Sequence, residues 1–411
     1  MKRVWLINQY AMPPKYESRL RTIKFAQYLS LKGYDVTIFS SSALHNFDIN
    51  LISDGSMYIE KMYDNLKFVH VNSPSYGENK IKRIIGSLLF AFRTLRLSSE
   101  FKKPDIIVQT ATVPFGNILY YLAKKFEAQY IVEVLDLWPE SFAEGGLLSR
   151  KNPLMKFFYY AEKWLYKRAD KLVFSMEGGC QYLIDKRWNK EQGGPIDLSK
   201  VYYINNGVDL KDFNNNKNQY KLSNTLLKEP SIRRVIYLGS VRFANNMKLF
   251  IDAARELIYM KDVKFLIFGD GSEREHLEYY CNKNDISNVY FCEKWVDPKY
   301  VPYILSCSTV NILNYKQQGF GHYGGSQSKM FQYMASGKPI CCNINMMFCP
   351  IKKYGLGISK EFQSSKEYAD AISTLLNLSP ERYNEILRNN IETAKLFDYK
   401  SLTNKLIELF N

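Results

Sequence analysis

Three short stretches hold residue types that could act on an anionic ligand together. Tyr237-Leu238-Gly239-Ser240-Val241-Arg242 is an apolar run entering a Gly-Ser turn. Such a turn ahead of a helix offers backbone N–H groups to an anion, and Arg242 adds a guanidinium suited to a bidentate phosphate contact. Gly-Ser turns also follow strands where no ligand binds, so this stretch alone leaves both readings open. The second stretch, Gly319-Phe320-Gly321-His322-Tyr323-Gly324-Gly325-Ser326-Gln327-Ser328-Lys329, puts four glycines into seven residues before a helix expected over Met330–Ala335. Glycine permits close backbone approach to a ligand. Ser328 can cap the helix or donate to a phosphate, and Lys329 brings charge. From Pro298 to Lys360 there is no Asp or Glu, in a chain where 41 of 411 residues are acidic. That absence suits a pyrophosphate-like anion; a flexible loop with chance depletion is the plain alternative. The third stretch, Glu133-Val134-Leu135-Asp136-Leu137-Trp138-Pro139-Glu140-Ser141, closes an apolar run with carboxylates. Asp136 and Glu140 at a strand's end could work as acid or base or hold hydroxyls. Equally, Pro139 and Glu140 are what a helix start uses.

These residues need strands that deliver them to one edge. Val4–Ile7, a turn-rich loop, a helix through Leu20, Ile23, Phe25 and Leu29, then Val36–Phe39 read as β–loop–α–β, the opening of a parallel doubly wound sheet. Phe68–Val71, Ile106–Val108, Tyr130–Val134, Lys171–Phe174 and Val201–Ile204 continue it. After residue 209 the Asn-rich run Lys211–Asn218 reads as a surface linker, and a second βα series follows: Arg234–Leu238, Lys248–Tyr259 (helix), Val263–Phe268, Val289–Phe291, Val310–Leu313 and Pro339–Cys342. A helix over Tyr383–Phe410 ends it. The expected organisation is a first domain over 1–209, a linker over 210–231, a second domain over 232–392, and a C-terminal helix in 393–411 packing back on the first domain. Ligands in such folds bind at the carboxyl ends of the strands, by default in the cleft between domains.

Composition narrows the partners. The chain has 56 Lys+Arg against 41 Asp+Glu, a formal net charge of +15, with 46% hydrophobic and 24% charged residues. Those fractions exclude wholesale disorder. The excess is spread, +9 over residues 1–200 and +6 over 201–411, so it is not a tail. It points to an anionic partner or to drift toward Lys in composition. Seven cysteines without a CxxC pair, and four scattered histidines, leave no zinc spacing and suit a reduced cytoplasmic protein. The N-terminus lacks a signal-peptide pattern, and the longest lipid-like run, Ile84–Phe92, is too short to span a bilayer. Two basic, aromatic segments, 81–96 and 151–171, could lie on an anionic membrane surface, the second with Leu154, Phe157, Phe158, Ala161 and Leu165 on one helical face. An ordinary helix with a core-facing apolar side is the alternative for each. No recognition module for nucleic acid is present.

The ordered set NQYAMPPKYESR, LSLKGYDVTIFS, DLWPES, WLYKRADKLVFS, NNGVD, LGSVRFANN, FGDGSE and SKMFQYMASGKP resembles the bacterial GT-B glycosyltransferases of family 4, especially those of capsule and O-antigen synthesis. The resemblance implies an α/β GT-B fold, two doubly wound Rossmann-like domains facing across a cleft. It also implies transfer of a sugar, of the N-acetylated hexosamine type, from a UDP-sugar to a polyprenyl-linked or glycolipid acceptor. Retention of configuration, no metal or other cofactor, and a peripheral position on the inner face of the cell membrane go with it. The same resemblance implies that the N-terminal domain over 1–209 is acceptor-binding and membrane-facing and that the domain over 232–392 is donor-binding. Carried over to this chain, the donor side would be Gly239, Ser240, Arg242, Gly269, Asp270, Gly271, Gly325, Ser326, Ser328, Lys329 and Gln332. The acceptor side would be Arg19, Asp136 and Glu140, and the catalytic groups Asp136, Arg242 and Lys329. The family's two-glutamate signature falls on Gly324 and Gln332, and the Lys after its first turn falls on Asn245, where Arg242 or Lys248 could compensate. Loss of both carboxylates keeps a non-catalytic nucleotide-sugar-binding subunit as the main alternative, and a sugar-nucleotide epimerase as a lesser one.

Overall fold

Alternating apolar runs and amphipathic helices build two separate sheets. In the computed structural model, which describes residues 1–17, 19–77, 79–144, 146, 148–316 and 321–411, unit 1 comprises Met1–Asn205 and Tyr399–Asn411, and unit 2 comprises Asn206–Asp398.

Unit 1 holds strands β1 (Arg3–Ile7), β2 (Asp35–Ser41), β3 (Tyr58–Tyr63), β4 (Leu66–Val71), β5 (Ile106–Thr110), β6 (Gln129–Val134), β7 (Lys171–Phe174) and β8 (Val201–Tyr203). Their order is β3-β4-β2-β1-β5-β6-β7-β8. All neighbours are parallel except β3, which runs antiparallel to β4 with Tyr58 opposite Val71. Strand β3 was not expected from sequence. It is an edge strand whose Glu60, Lys61 and Met62 are exposed, and charge on an edge deters pairing with another chain. The helix Arg21–Leu31 buries Ile23, Phe25, Ala26 and Leu29 on this sheet, and Tyr399, Leu402 and Leu406 of the helix Tyr399–Ile407 enter the same core. The Phe25 and Tyr399 rings lie edge to face at 6.0 Å. Gln129 ties the end of the chain by donating to the Leu409 carbonyl (2.7 Å) and accepting from the Asn411 N–H (3.0 Å).

Unit 2 holds β9 (Arg233–Leu238), β10 (Val263–Phe268), β11 (Val289–Phe291), β12 (Val310–Leu313), β13 (Ile340–Cys342) and β14 (Gly357–Ser359), all parallel, in the order β11-β10-β9-β12-β13-β14. Val235, Tyr237, Phe265, Ile267, Ile312 and Cys341 fill its core with Phe250, Ile251 and Tyr368 from flanking helices. Central parallel strands are covered on both faces, which is why they read as unbroken apolar runs. Chain order reverses at β9, between β10 and β12, so the loops leaving β9 and β12 sit at the topological switch point.

Three expectations differ from the structure. The stretch 210–231 contains helices Leu210–Gln219 and Thr225–Lys228. Asp209 caps the first by accepting from the Asp212 N–H (3.0 Å), and Phe213 anchors it in unit 2, so its asparagines are a solvated helix face and no linker. The last helical region is two helices, Pro380–Leu396 in unit 2 and Tyr399–Ile407 in unit 1. The apolar residues of 151–171 split between faces: in the helix Pro153–Arg168, Met155, Ala161 and Leu165 are buried while Leu154, Phe157 and Tyr160 are exposed. The helix Lys80–Leu97 likewise buries Phe90 and Ala91 but exposes Ile81, Ile84, Ile85, Leu88 and Phe92, a stripe at helical spacing. Among the described residues, no helix is long and apolar enough to cross a membrane. All seven cysteines are free thiols.

Candidate functional site

The loop leaving β9 is held by the loop leaving β10. Gly239 N–H donates to the Phe268 carbonyl (2.9 Å), Val241 N–H to Asp270 (2.8 Å), and Glu273 N–H back to Val241 (3.1 Å). This approach requires glycine. A Cβ at Gly269 would lie 2.0 Å from the Gly239 carbonyl oxygen, and one at Gly271 would lie 2.3 Å from that of Val241. Arg274 locks the pair from below through the Gly269 and Cys292 carbonyls. The Asp270 carboxylate accepts from the Gly271 N–H (2.9 Å), a turn contact. In this structure the Gly-Asp-Gly stretch therefore serves to align the two loops.

Gly239 serves a different neighbour. Its φ is 150°, and the space a side chain would need is filled by Lys329. Lys329 is the second residue of the helix Ser328–Ser336. Its Nζ lies 3.4 Å from Tyr237 Oη, while that hydroxyl donates to the Ser240 carbonyl (2.6 Å). Among the described residues Lys329 has no carboxylate partner, and burial pushes its pKa down to about 8. The N-cap of this helix is Gln327, with no side chain capping it, and Ser328 stands inside the helix instead of capping it. Met330 N–H donates to the Gln327 carbonyl (3.0 Å), so among the described residues the N–H groups of Ser328 and Lys329 are the ones left to an anion. Gln332 follows one turn later and is partly accessible.

The rest of the Gly-rich loop is built around backbone geometry. Gly321 and Gly324 have φ of 90° and 92°, and a Cβ at Gly325 would meet Met346 Sδ at 3.0 Å. Ser326 is tied to the NNGVD stretch: its Oγ accepts from Asn206 N–H (3.0 Å) and its carbonyl from Asn206 Nδ2 (2.7 Å). Gly319 and Phe320 lie outside the described residues, as does Ser18 of the opening motif. Ser240 Oγ donates to Asn245 Oδ1 (3.1 Å), and Asn314, after β12, holds the Asn245 and Asn246 carbonyls (2.7 and 2.8 Å).

Arg242 is exposed and lines a recess of about 490 Å³ with Phe243, Lys248, Glu273, Lys316 and Glu361. None of Gly239, Ser328 or Lys329 lines it. Lys248 is committed to Asp252 (2.7 Å), whereas Arg242 has no carboxylate partner among the described residues. A larger recess, about 630 Å³ beside β11, contains none of the residues singled out from sequence.

In unit 1, Asp136 follows β6 and is exposed, yet the surrounding protein desolvates it and raises its pKa, an effect that the Arg19 charge opposes. Arg19 donates to the Tyr10 carbonyl (3.1 Å) and lies 3.6 Å from Glu17. Glu140 departs from its expected role. It is 2% exposed and held by Arg150 (2.6 Å), Tyr159 (2.5 Å) and Lys186. Burial alone would raise its pKa, but these donors carry it below the ordinary value. Its oxygens are spent on tying the helix Glu140–Glu144 to Arg150, Lys186 and the helix Pro153–Arg168. Glu133 is similarly committed, paired with the buried Arg21 at 2.7 Å.

Residues 232–377 match the family model described as Glycosyl transferases group 1. No curated protein matches the chain. Several solved structures share its whole fold. A structure from E. coli described as trehalose-6-phosphate bound with UDP-2-fluoro glucose is 12% identical at a TM-score of 0.73, over 99% of this chain and 98% of that one. WaaG, a glycosyltransferase involved in lipopolysaccharide biosynthesis, is 14% identical at 0.67, and Anabaena Alr3699/HepE, in complex with UDP and glucose, is 14% identical at 0.64, each over 99% of both chains. The fold is GT-B, with two Rossmann-like α/β domains, and the matched domain makes the protein a glycosyltransferase.

Proposed function

We propose that the protein moves a sugar from a UDP-sugar to a lipid-linked acceptor in surface polysaccharide synthesis, with retention and without a metal ion. The observation that carries this reading is Lys329, a desolvated cation beside Gly239 and the uncapped start of its own helix. As the bond between sugar and UDP breaks, negative charge develops on the departing phosphate. The Lys329 ammonium and the backbone N–H groups of Ser328 and Lys329 stabilise it where water is partly excluded and charge therefore counts for more. Gln332 can donate to and accept from ribose hydroxyls. Asp136 is the carboxylate that unit 1 offers to an acceptor hydroxyl. The UDP-bound neighbours from E. coli and Anabaena support a uridine nucleotide, and WaaG supports a surface-polysaccharide role. An N-acetylated hexosamine donor and retention rest on the family resemblance.

The exposed stripe Ile81, Ile84, Ile85, Leu88 and Phe92 is flanked by Lys82 and Arg96, and Leu154, Phe157 and Tyr160 stand among lysines. Both patterns support a protein resting on an anionic membrane face. The test is transfer of label from UDP-N-acetylglucosamine and other UDP-sugars to a membrane extract, with and without EDTA. Lipid-extractable product that persists in EDTA and disappears in Lys329→Ala is expected; wild-type transfer by that variant would sink the assignment. Gly324 favours one second reading, a binder without turnover, because φ of 92° is a conformation that glutamate rarely adopts. UDP-sugar binding with no product would establish it.

A further inference from the structure

Three loops at the carboxyl ends of β1, β2 and β4 bring Tyr10, His45 and Tyr76 together with two guanidiniums. Arg83, in the first turns of the helix Lys80–Leu97, donates from Nε to Tyr10 Oη (3.2 Å), and its guanidinium lies 5.2 Å from that ring's centre. Arg19 reaches the same residue through its carbonyl (3.1 Å). The His45 ring lies 5.0 Å from the Tyr10 ring, with Nδ1 2.7 Å from Tyr76 Oη. Both guanidiniums act on His45 and Tyr76, and like charges gathered there repel unless a countercharge joins them. Among the described residues the carboxylates that answer them are few. Glu17 lies 3.6 Å from Arg19 Nε but already accepts from the N–H groups of Met12 (2.9 Å) and Arg19 (2.8 Å). Asp136 feels the Arg19 charge, but desolvation outweighs it and raises its pKa. Arg83 has no carboxylate partner among the described residues. His45 adds no charge, because burial and then Arg19 and Arg83 push its pKa down to about 4.

We propose that Arg19, Arg83, Tyr10, His45 and Tyr76 form a subsite for a phosphate group carried by a lipid acceptor. The inference rests on the reading that unit 1 takes the acceptor. Two guanidiniums offer planar donor pairs to phosphate oxygens, and the phenols and neutral imidazole can donate to those that remain. A phosphate would supply the countercharge that no carboxylate among the described residues gives Arg83. The lipid follows from the helix that supplies Arg83, which exposes Ile81, Ile84, Ile85 and Leu88 beside it, an apolar track for a chain attached to that phosphate.

The test is calorimetric titration of the full chain, with UDP saturating so that phosphate cannot report on unit 2. The probes are geranyl diphosphate, geraniol, inorganic pyrophosphate and glucose 6-phosphate. Geranyl diphosphate is expected to bind at least tenfold more tightly than each of the others. Arg19→Gln and Arg83→Gln should each weaken it tenfold or more, with thermal melts confirming that the variants fold. NMR titration of His45 should show its pKa rising when the diphosphate binds, which a purely structural cluster would not do. Unchanged affinity in both variants, or geraniol binding as well as its diphosphate, would overturn the subsite. Glucose 6-phosphate binding as tightly as geranyl diphosphate would overturn the lipid. UDP titrated alone reports the donor reading separately: if UDP fails to bind, that reading falls while the diphosphate titration still decides the subsite.

Discussion

Lys329 Nζ stands 1.9 Å from where the Cβ of any larger residue at position 239 would be placed. The absence of a side chain at Gly239 is therefore what lets the lysine lie along the end of β9, beside the loop backbone. Gly239→Ala must either displace the ammonium or distort a backbone whose φ of 150° suits glycine. Hydrogen bonds involving a charged group contribute roughly 1.5–3 kcal/mol. Gly239→Ala and Lys329→Ala should each weaken UDP binding about 10- to 100-fold, read by calorimetry. Arg242→Ala, in its separate recess, should cost less; a larger loss there would shift the phosphate toward Arg242.

UDP affinity should depend on pH through Lys329. Its pKa near 8 in the free protein means the ammonium is mostly present at pH 7 and is lost as pH rises through 8. Phosphate binding favours the charged form and raises that pKa, so binding takes up a proton above pH 8. Affinity should be level from pH 6 to 7.5, then fall by up to about tenfold per pH unit. Lys329→Ala should flatten this profile. A wild-type profile level to pH 9.5 would show that the lysine does not meet the phosphate.

Stability should also carry a pH signature from Glu162, in the helix Pro153–Arg168. Its carboxyl is fully buried, accepts from Tyr182 (2.8 Å), and has its pKa raised to about 8, chiefly by desolvation. The folded state thus holds a proton that the unfolded chain releases near pH 4.5. This group's contribution to stability is greatest below that value and is lost progressively as pH rises toward 8. Glu162→Gln should therefore raise the Tm relative to wild type more at pH 8 than at pH 5. An equal shift at both values would mean the carboxyl is ionised in the fold.

Membrane contact can be read by sedimentation with anionic liposomes. Leu88→Asp and Ile85→Asp place charge on an exposed stripe without touching the core, since Leu88 is 47% and Ile85 45% exposed. Surface changes of this kind usually alter stability by less than about 0.5 kcal/mol. Each variant should sediment less than wild type at low salt, with an unchanged melting curve. Equal sedimentation would return these residues to being scattered surface apolar groups.

The doubly wound order was legible because Val4–Ile7 is apolar on both faces, as are Tyr130–Val134 and Val263–Phe268 but for Glu133 and Lys264, the pattern of covered strands. Strand β3 was not, because Tyr58–Tyr63 lies on an edge and carries the charges an edge needs. The three-residue β14 is too short for any period to register. At the site, residue type was readable for Gly239 and Lys329, but their contact comes from packing between β9 and a distant helix. Glu140 looked like a site carboxylate since nothing near it in sequence announces Lys186 and Tyr159, the donors that consume it. The Tyr10–Arg83 contact was hidden for the same reason, its partners lying on the loop after β1 and on the helix Lys80–Leu97.

The return of the chain into unit 1 has a consequence for the order in which the protein is made. Unit 2 is one continuous span, 206–398, whereas the core of unit 1 is finished by Tyr399, Leu402 and Leu406, which are synthesised after all of unit 2. Domains on a growing chain usually mature from the N-terminal end. Here the first unit must leave an apolar face on the helix Arg21–Leu31 uncovered while the second is translated and folds. The nascent chain thus carries an aggregation-prone apolar face on the helix Arg21–Leu31 until the helix Tyr399–Ile407 emerges.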